Sequence, residues 1–81
     1  MNRTARYFAQ NDNTDEFDEL SQLEYQGVLY GNDDYINNTV VVYEGDGQIA
    51  TMYDVNLKNV YGCVIAELCK LFKRLGMQTD F

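Results

Sequence analysis

Carboxylates and tyrosines are the side chains of this 81-residue chain that could support chemistry or recognition. The chain has no histidine and Ser21 is its only serine, so neither a Ser-His-Asp triad nor a Cys-His pair can be assembled. Paired carboxylates act as acid and base when an apolar cleft raises one pKa, and a chain of this length has little room for such a cleft. We therefore expect that the protein is not an enzyme.

Metal and cofactor motifs are all incomplete. A calcium loop that begins at Asp12 would need glycine at its sixth position, where Phe17 stands. Cys63 and Cys69 are six residues apart, too far within one helix for a disulfide, and without histidine they make a poor zinc site. Gly45-Asp46-Gly47 completes neither phosphate-loop spacing and is typical of a turn. We expect no metal, no cofactor and reduced, semi-buried cysteines.

Charge placement is the most unusual feature of the sequence. The chain has 13 acidic and 6 basic residues and a net charge of −7. No lysine or arginine lies between Tyr7 and Leu57, whereas eleven carboxylates do. These carboxylates are Asp12, Asp15, Glu16, Asp18, Glu19, Glu24, Asp33, Asp34, Glu44, Asp46 and Asp54. A surface selected only for solubility usually mixes both signs, although a solvated acidic face without a binding role is the alternative interpretation.

Seven tyrosines and eight asparagines accompany these charges. Tyrosine supplies rigid, amphipathic contact area at binding sites. Carboxylates interleaved with exposed tyrosines suit a basic partner, such as the groove of a nucleic-acid-binding protein, and they would be repelled by nucleic acid itself. The candidate contact residues are Asp12, Asp15, Glu16, Asp18, Glu19, Tyr30, Asp33, Asp34 and Tyr35.

A long helix is predicted in the C-terminal third. Apolar residues recur there at spacings of three and four, which is typical of a helix with one face packed on a core. They are Leu57, Val60, Tyr61, Val64, Ile65, Leu68, Leu71, Phe72 and Leu75. Asp54 or Asn56 would cap the start of the helix, and Gly76 would end it in the left-handed conformation with Met77 folded back toward Phe72.

A three-stranded antiparallel meander is predicted before this helix. Residues 39–44 and 48–53 are rich in β-branched and aromatic side chains and flank the glycine-rich turn, which predicts a hairpin. A two-residue turn would pair Val42 with Thr51, and a three-residue turn would pair it with Ala50. Residues 25–30 would form the third strand, joined to the hairpin by a turn at 31–34.

The N-terminal region is predicted to contain a short helix. Asn13 or Thr14 would be its N-cap, acidic residues would occupy its first turn, and its apolar residues, up to Leu23, would face inward. Residues 1–10 would be an edge strand or a loose arm. Residues 1–81 are thus expected to form one α+β domain, in which a short N-terminal helix and a long C-terminal helix accompany a meander covered on one face.

Apolar runs in the sequence fall short of the ~20 residues that span a bilayer, and the first six residues lack the apolar stretch of a signal peptide. We therefore expect a soluble, cytoplasmic protein. In size, charge and element order, the whole chain resembles the small acidic inhibitors that bacteriophages direct against host nucleic-acid machinery, including anti-CRISPR proteins and DNA mimics. The resemblance implies blocking of a basic nucleic-acid-binding groove in a larger protein or ribonucleoprotein, in the host cytoplasm if the chain is phage-encoded.

Two other functions fit the same residues. An immunity protein or antitoxin that neutralises a basic toxin would present the same acidic surface to a single dedicated partner. A homo-oligomeric structural module would instead use the small residues Gly62, Cys63 and Ala66, which would let a second long helix approach closely and form a homodimer.

Overall fold

The computed structural model describes residues 3–29, 35–45, 48–58 and 62–77, and the predicted turns at 31–34 and 46–47 lie outside these ranges. Its elements are β1 (Arg3–Asn11), β2 (Phe17–Leu20), α1 (Gln22–Leu29), β3 (Tyr35–Gly45), β4 (Gln48–Asn56) and α2 (Gly62–Arg74). The strands form one antiparallel sheet in the order β2-β1-β3-β4. The α+β class is as predicted, but the three-stranded meander is wrong. Within the described residues, neither helix has the length and apolar character of a membrane span.

The two helices cover opposite faces of the sheet. Phe8 belongs to an apolar cluster with residues of α2, whereas Ala9 belongs to a second cluster with Val28 of α1. Because successive side chains of a strand point to opposite faces, α2 and α1 lie on either side of β1. We call these sides the α2 face and the α1 face.

Among the described side chains, the α2 face holds the larger core. Its buried residues come from three strands and from α2, and they are Phe8, Phe17, Val40, Val42, Val64, Leu68, Leu71, Phe72 and Leu75. The members from α2 and its last turn belong to the predicted apolar stripe, so the helix packs through the face that the sequence indicates. Leu57 also packs here from the end of β4, while residues 60 and 61 of the stripe lie outside the described ranges.

The C-terminal end of α2 is confirmed. Gly76 adopts a φ of 75°, its amide donates to the carbonyl of Lys73 at 3.1 Å, and the amide of Met77 donates to the carbonyl of Phe72 at 2.9 Å. This Schellman arrangement satisfies carbonyls that the helix itself leaves unpaired. The predicted start is wrong, because β4 continues through Asn56 and uses both proposed caps in the sheet.

Residues 22–29 form α1, although a strand was predicted for 25–30. A reciprocal capping box starts this helix: the amide of Ser21 donates to Glu24 Oε1 at 3.0 Å, and the amide of Glu24 donates to Ser21 Oγ at 3.1 Å. Val28 is the buried residue of α1, and Leu23, expected to face inward, is 78% exposed. The cap therefore determines this helix more strongly than its apolar pattern does.

The N-terminal prediction is also wrong. β1 lies between β2 and β3, so residues 3–11 form a central strand rather than an edge strand or a loose arm. The residues predicted as a helix form a loop and then β2, in which Leu20 pairs with Tyr7 and Phe17 pairs with Gln10. Phe17 and Leu20 are both buried, but in different clusters on opposite faces. Two residues three positions apart lie on the same face of a helix but on opposite faces of a strand. Pairing with β1 determines that Phe17 and Leu20 belong to a strand.

The β3–β4 hairpin is confirmed and is longer than predicted. Its register differs from both alternatives, because Val42 pairs with Tyr53 rather than with residue 50 or 51. Gly45 pairs with Gln48, and an irregularity next to this pair shifts the register along the rest of the hairpin.

Candidate protein-binding surface

The loop between β1 and β2 carries three of the candidate carboxylates. Asp12, Asp15 and Glu16 are all exposed. The amide of Asn11 donates to the carbonyl of Glu16 at 2.8 Å, and the amide of Asp15 donates to the carbonyl of Asn11 at 2.9 Å. These two bonds close the loop across its base, so the carboxylates project from a defined backbone.

Side chains fix the same loop from within. Asn11 Oδ1 accepts hydrogen bonds from the amides of Asn13 at 2.8 Å and Thr14 at 3.2 Å. Asp15 adopts a φ of 61°, a left-handed conformation that aspartate tolerates better than most residues. Its carbonyl accepts a hydrogen bond from Gln10 Nε2 at 2.7 Å. Thr14, predicted as a helix cap, thus lies in a hairpin loop.

A buried pair of amide side chains anchors this loop to the rest of the sheet. Gln10 and Asn38 are both fully buried, and Asn38 Nδ2 donates to Gln10 Oε1 at 2.8 Å. Asn38 Oδ1 in turn accepts from the amide of Lys58 at 2.8 Å. Buried amides with satisfied hydrogen bonds restrict the chain to one arrangement. The sequence carries no signal for this network, because asparagine and glutamine are mostly surface residues.

The next two candidates, Asp18 and Glu19, point to opposite faces of β2. Asp18 is half-buried on the α1 face, where Asn11 Nδ2 donates to Asp18 Oδ2 at 3.4 Å. Glu19 lies on the α2 face and is bound by Arg6. The predicted helix would have placed both residues on one solvent side, and the strand separates them.

Arg6 neutralises two of the eleven carboxylates between Tyr7 and Leu57, a segment that we call the acidic span. Its Nε and Nη2 donate to both carboxylate oxygens of Glu19 at 2.8 and 2.7 Å, and its Nη1 donates to Glu44 Oε1 at 2.9 Å. The guanidinium also lies 5.5 Å from the ring centroid of Phe8. The hydrogen bond from Arg6 lowers the pKa of Glu19, and the same contacts raise the pKa of Arg6. Arg6 precedes the acidic span in sequence, and only the strand register brings it to these carboxylates.

The remaining candidates are only partly described. Tyr30, Asp33 and Asp34 lie outside the described residues. Tyr35 begins β3, where its backbone pairs with Asn11 next to the acidic loop. Four candidates at the β1–β2 hairpin make no ion pair with a described cation, and we call them the hairpin carboxylates: Asp12, Asp15, Glu16 and Asp18.

Tyrosines form a second feature, on the α1 face. The rings of Tyr7 and Tyr25 lie 4.8 Å apart between centroids, at an interplanar angle of 31°. Tyr43 is a diagonal neighbour of Tyr7, since Tyr7 pairs with Val41 across the two strands. The hydroxyl of Tyr43 donates to Asp54 Oδ2 at 3.2 Å, and this hydrogen bond raises the pKa of Tyr43. We call Tyr25, Tyr7 and Tyr43 the tyrosine row.

Charges divide unevenly between the two faces. Arg6 and the three cations of α2 lie on the α2 side, where Lys70 pairs with Glu67 at 2.9 Å and has its pKa raised by that hydrogen bond. On the α1 side, Asp18, Glu24 and Asp54 make no ion pair with any described cation. Among the side chains that the structure describes, the α1 side is therefore the more strongly acidic one.

Two features of the α2 side have mixed or neutral chemistry. A shallow cavity of about 160 Å³ between β2 and α2 is lined by both signs of charge: Glu16, Phe17, Glu67, Lys70, Leu71 and Arg74. The small residues Gly62, Cys63 and Ala66 are exposed along α2, so the predicted homodimer surface is accessible. Both cysteines are free; Cys63 is exposed rather than semi-buried, and Cys69 is half-buried.

Comparison with known proteins finds no family, no curated protein and no solved structure that matches this chain. The functional proposal therefore depends on the hairpin carboxylates and the tyrosine row.

Proposed function

We propose that this chain is a small acidic inhibitor that binds the basic nucleic-acid-binding surface of a larger protein or ribonucleoprotein, in the manner of anti-CRISPR proteins and DNA mimics. The observation that supports this most is the presentation of the hairpin carboxylates. Three of the four are exposed, all lie outside the ion pairs of the described residues, and they project from a backbone that hydrogen bonds hold in place.

Fixed carboxylates suit a basic groove for two reasons. A site that is ordered before binding loses less conformational entropy on association. A concentration of one charge sign attracts the opposite sign over a distance of about one Debye length, which speeds association at low salt. The net charge of −7 disfavours direct contact with nucleic acid.

Capture from a bacterial lysate, read by mass spectrometry at low and moderate salt, is the experiment that tests this function. The bait is compared with a hairpin variant, Asp12→Asn, Asp15→Asn and Glu16→Gln. Asparagine is well suited to the left-handed conformation of residue 15, so the loop should persist. A paired-site variant that removes the same number of charges, Glu19→Gln, Glu44→Gln and Glu67→Gln, is the control.

We expect a nucleic-acid-binding protein to be retained by the original chain and by the paired-site variant, but not by the hairpin variant. Fluorescence anisotropy of a labelled oligonucleotide then measures whether the chain displaces nucleic acid from that protein. Equal retention by both variants, or retention without displacement of the oligonucleotide, would contradict the proposal.

A further inference from the structure

The tyrosine row begins on α1 with Tyr25, continues through Tyr7 on β1, and reaches Tyr43 and Asp54 on β3 and β4. Among the described residues, Cα atoms of α1 come within 8 Å of those of β1, β2 and β3, but not of those of β4. The described members of the buried cluster under α1 are Ala9, Leu20 and Val28, with Tyr25 packed against them. All three tyrosines are half-buried, so part of each residue is accessible. The row thus continues from the edge of α1 across the sheet to an exposed carboxylate.

The α2 face shows how an aromatic ring together with neighbouring carboxylates binds a cation. On the α2 face, the guanidinium of Arg6 lies over the ring of Phe8 and donates to two carboxylates. Arginine is favoured at sites of this kind because its planar, weakly hydrated guanidinium stacks on a ring and pairs with carboxylate at the same time. The α1 face repeats these components, with tyrosine rings next to Asp54.

The negative charge of this surface favours a basic partner. The described carboxylates of the α1 side are Asp18, Glu24 and Asp54, and none of them pairs with a described cation. Side chains of lysine are more strongly hydrated than those of arginine and gain less from stacking on a ring. An apolar partner would have to bury these carboxylates unpaired, which is costly.

We propose that the tyrosine row and Asp54 form an arginine-binding contact for a basic protein partner. This inference deepens the proposed function and shares its basic partner, but it adds a preference that charge alone does not produce. Guanidinium groups of the partner stack on the tyrosine rings and donate to Asp54, while the hairpin carboxylates attract positive charge of either kind.

The test compares hexa-arginine and hexa-lysine peptides, which carry equal charge, as probes in NMR titrations at low salt. We expect hexa-arginine to bind more tightly and to shift the ring resonances of the row. Tyr43→Leu removes one ring, and Tyr53→Leu is the matched control because Tyr53 lies in the same hairpin on the opposite face, 4.7 Å from the ring of Phe72. Circular dichroism verifies that each variant is folded. The comparison of the two peptides on the original chain does not depend on any variant.

Tyr43→Leu should raise the Kd for hexa-arginine by about two- to fivefold for each stacked guanidinium that is lost. It should leave the Kd for hexa-lysine unchanged, and Tyr53→Leu should alter neither value. Equal affinity for the two peptides, or equal effects of the two leucine variants, would overturn the arginine contact. The hairpin variant distinguishes the two proposals, because it should weaken both peptides equally, and its failure to weaken either would count against the proposed function instead.

Discussion

The two faces of the sheet differ in the size of the apolar core, in how amphipathic the covering helix is, and in charge. Among the described side chains, the α2 face buries nine apolar residues with an amphipathic helix, and three of its carboxylates, Glu19, Glu44 and Glu67, pair with cations. Of the described side chains, the α1 face buries three in its apolar cluster, and its helix contributes only Val28 to them. Because apolar burial is the main source of stability, we infer that the α2 face maintains the fold, while the α1 face and the adjoining hairpin are available to a partner.

The largest expected effect is a difference in stability between a core variant of the α2 face and a variant of the α1 side. Leu68→Ala removes a fully buried side chain from the α2 face and should lower the free energy of unfolding by about 2–5 kcal/mol. Leu23→Ala, on the exposed side of α1, should change it by less than about 0.5 kcal/mol. Chemical denaturation measures both values, and similar midpoints would show that stability is not concentrated on the α2 face.

The buried amide pair is the next test, because it links the core to the binding loop. Asn38→Ala leaves Gln10 Oε1 and the amide of Lys58 without their partner and should lower the free energy of unfolding by about 1–3 kcal/mol. NMR should also show altered amide shifts in the 12–16 loop, because Gln10 holds the carbonyl of Asp15. Gln26→Ala on the exposed surface is the control, and an unchanged loop spectrum in Asn38→Ala would mean that the network does not order the loop.

A smaller effect tests which residue begins the first helix. Ser21→Ala removes the N-cap of α1 and should lower the free energy of unfolding by about 1 kcal/mol. Thr14→Ala should have a weaker effect, because Thr14 Oγ1 accepts only a 3.3 Å hydrogen bond from the amide of Glu16 within the hairpin loop. Circular dichroism and urea denaturation compare the two variants. A larger loss of helix content in Thr14→Ala would support the N-terminal helix that the structure replaces with β2.

The smallest effect concerns pH. The pKa of Glu19 is lowered in the folded state from its ordinary 4.5, so this ion pair stabilises the protein fully above about pH 4.5, and the stabilisation is lost as the pH falls through the folded-state pKa. Solvent screens the pair, and Arg6→Met should cost about 0.2–1 kcal/mol at pH 7.

Denaturation at pH 7 and pH 3 measures this effect. The stability difference between Arg6→Met and the original chain should shrink at pH 3. Lys73→Met removes an exposed cation that makes no ion pair with the described residues, and it controls for the loss of one positive charge. If the two variants show the same pH dependence, overall charge rather than the Glu19 pair is responsible.

The same contrast between faces explains what the sequence could predict. The apolar stripe of α2 is long and regular, and Gly76 is a strong stop signal, so both were found without knowledge of the partners in the sheet. α1 has one buried residue and a composition that also fits a strand. Its available signal was local, because Ser21 and Glu24 have the spacing of a capping box.

Long-range pairing accounts for what the sequence could not predict. Phe17 and Leu20 fit a helix or a strand until β1 pairs with them. Long-range pairing also brings a counter-charge from outside the acidic span, since Arg6 reaches Glu19 and Glu44 through neighbouring strands. A sequence pattern identifies charged residues, but pairing in the sheet determines which of them remain available to a partner.

The most direct test of the proposed inhibitor is the affinity of the captured nucleic-acid-binding protein for three chains: the original, the hairpin variant and the paired-site variant. Isothermal titration between 0.01 M and 0.15 M salt spans Debye lengths of ~30 Å to ~8 Å. We expect the hairpin variant to bind weakly at low salt with little salt dependence, and the paired-site variant to follow the original chain. Equal losses in the two variants, or unchanged binding of the hairpin variant at every salt concentration, would contradict a specific role for the hairpin carboxylates.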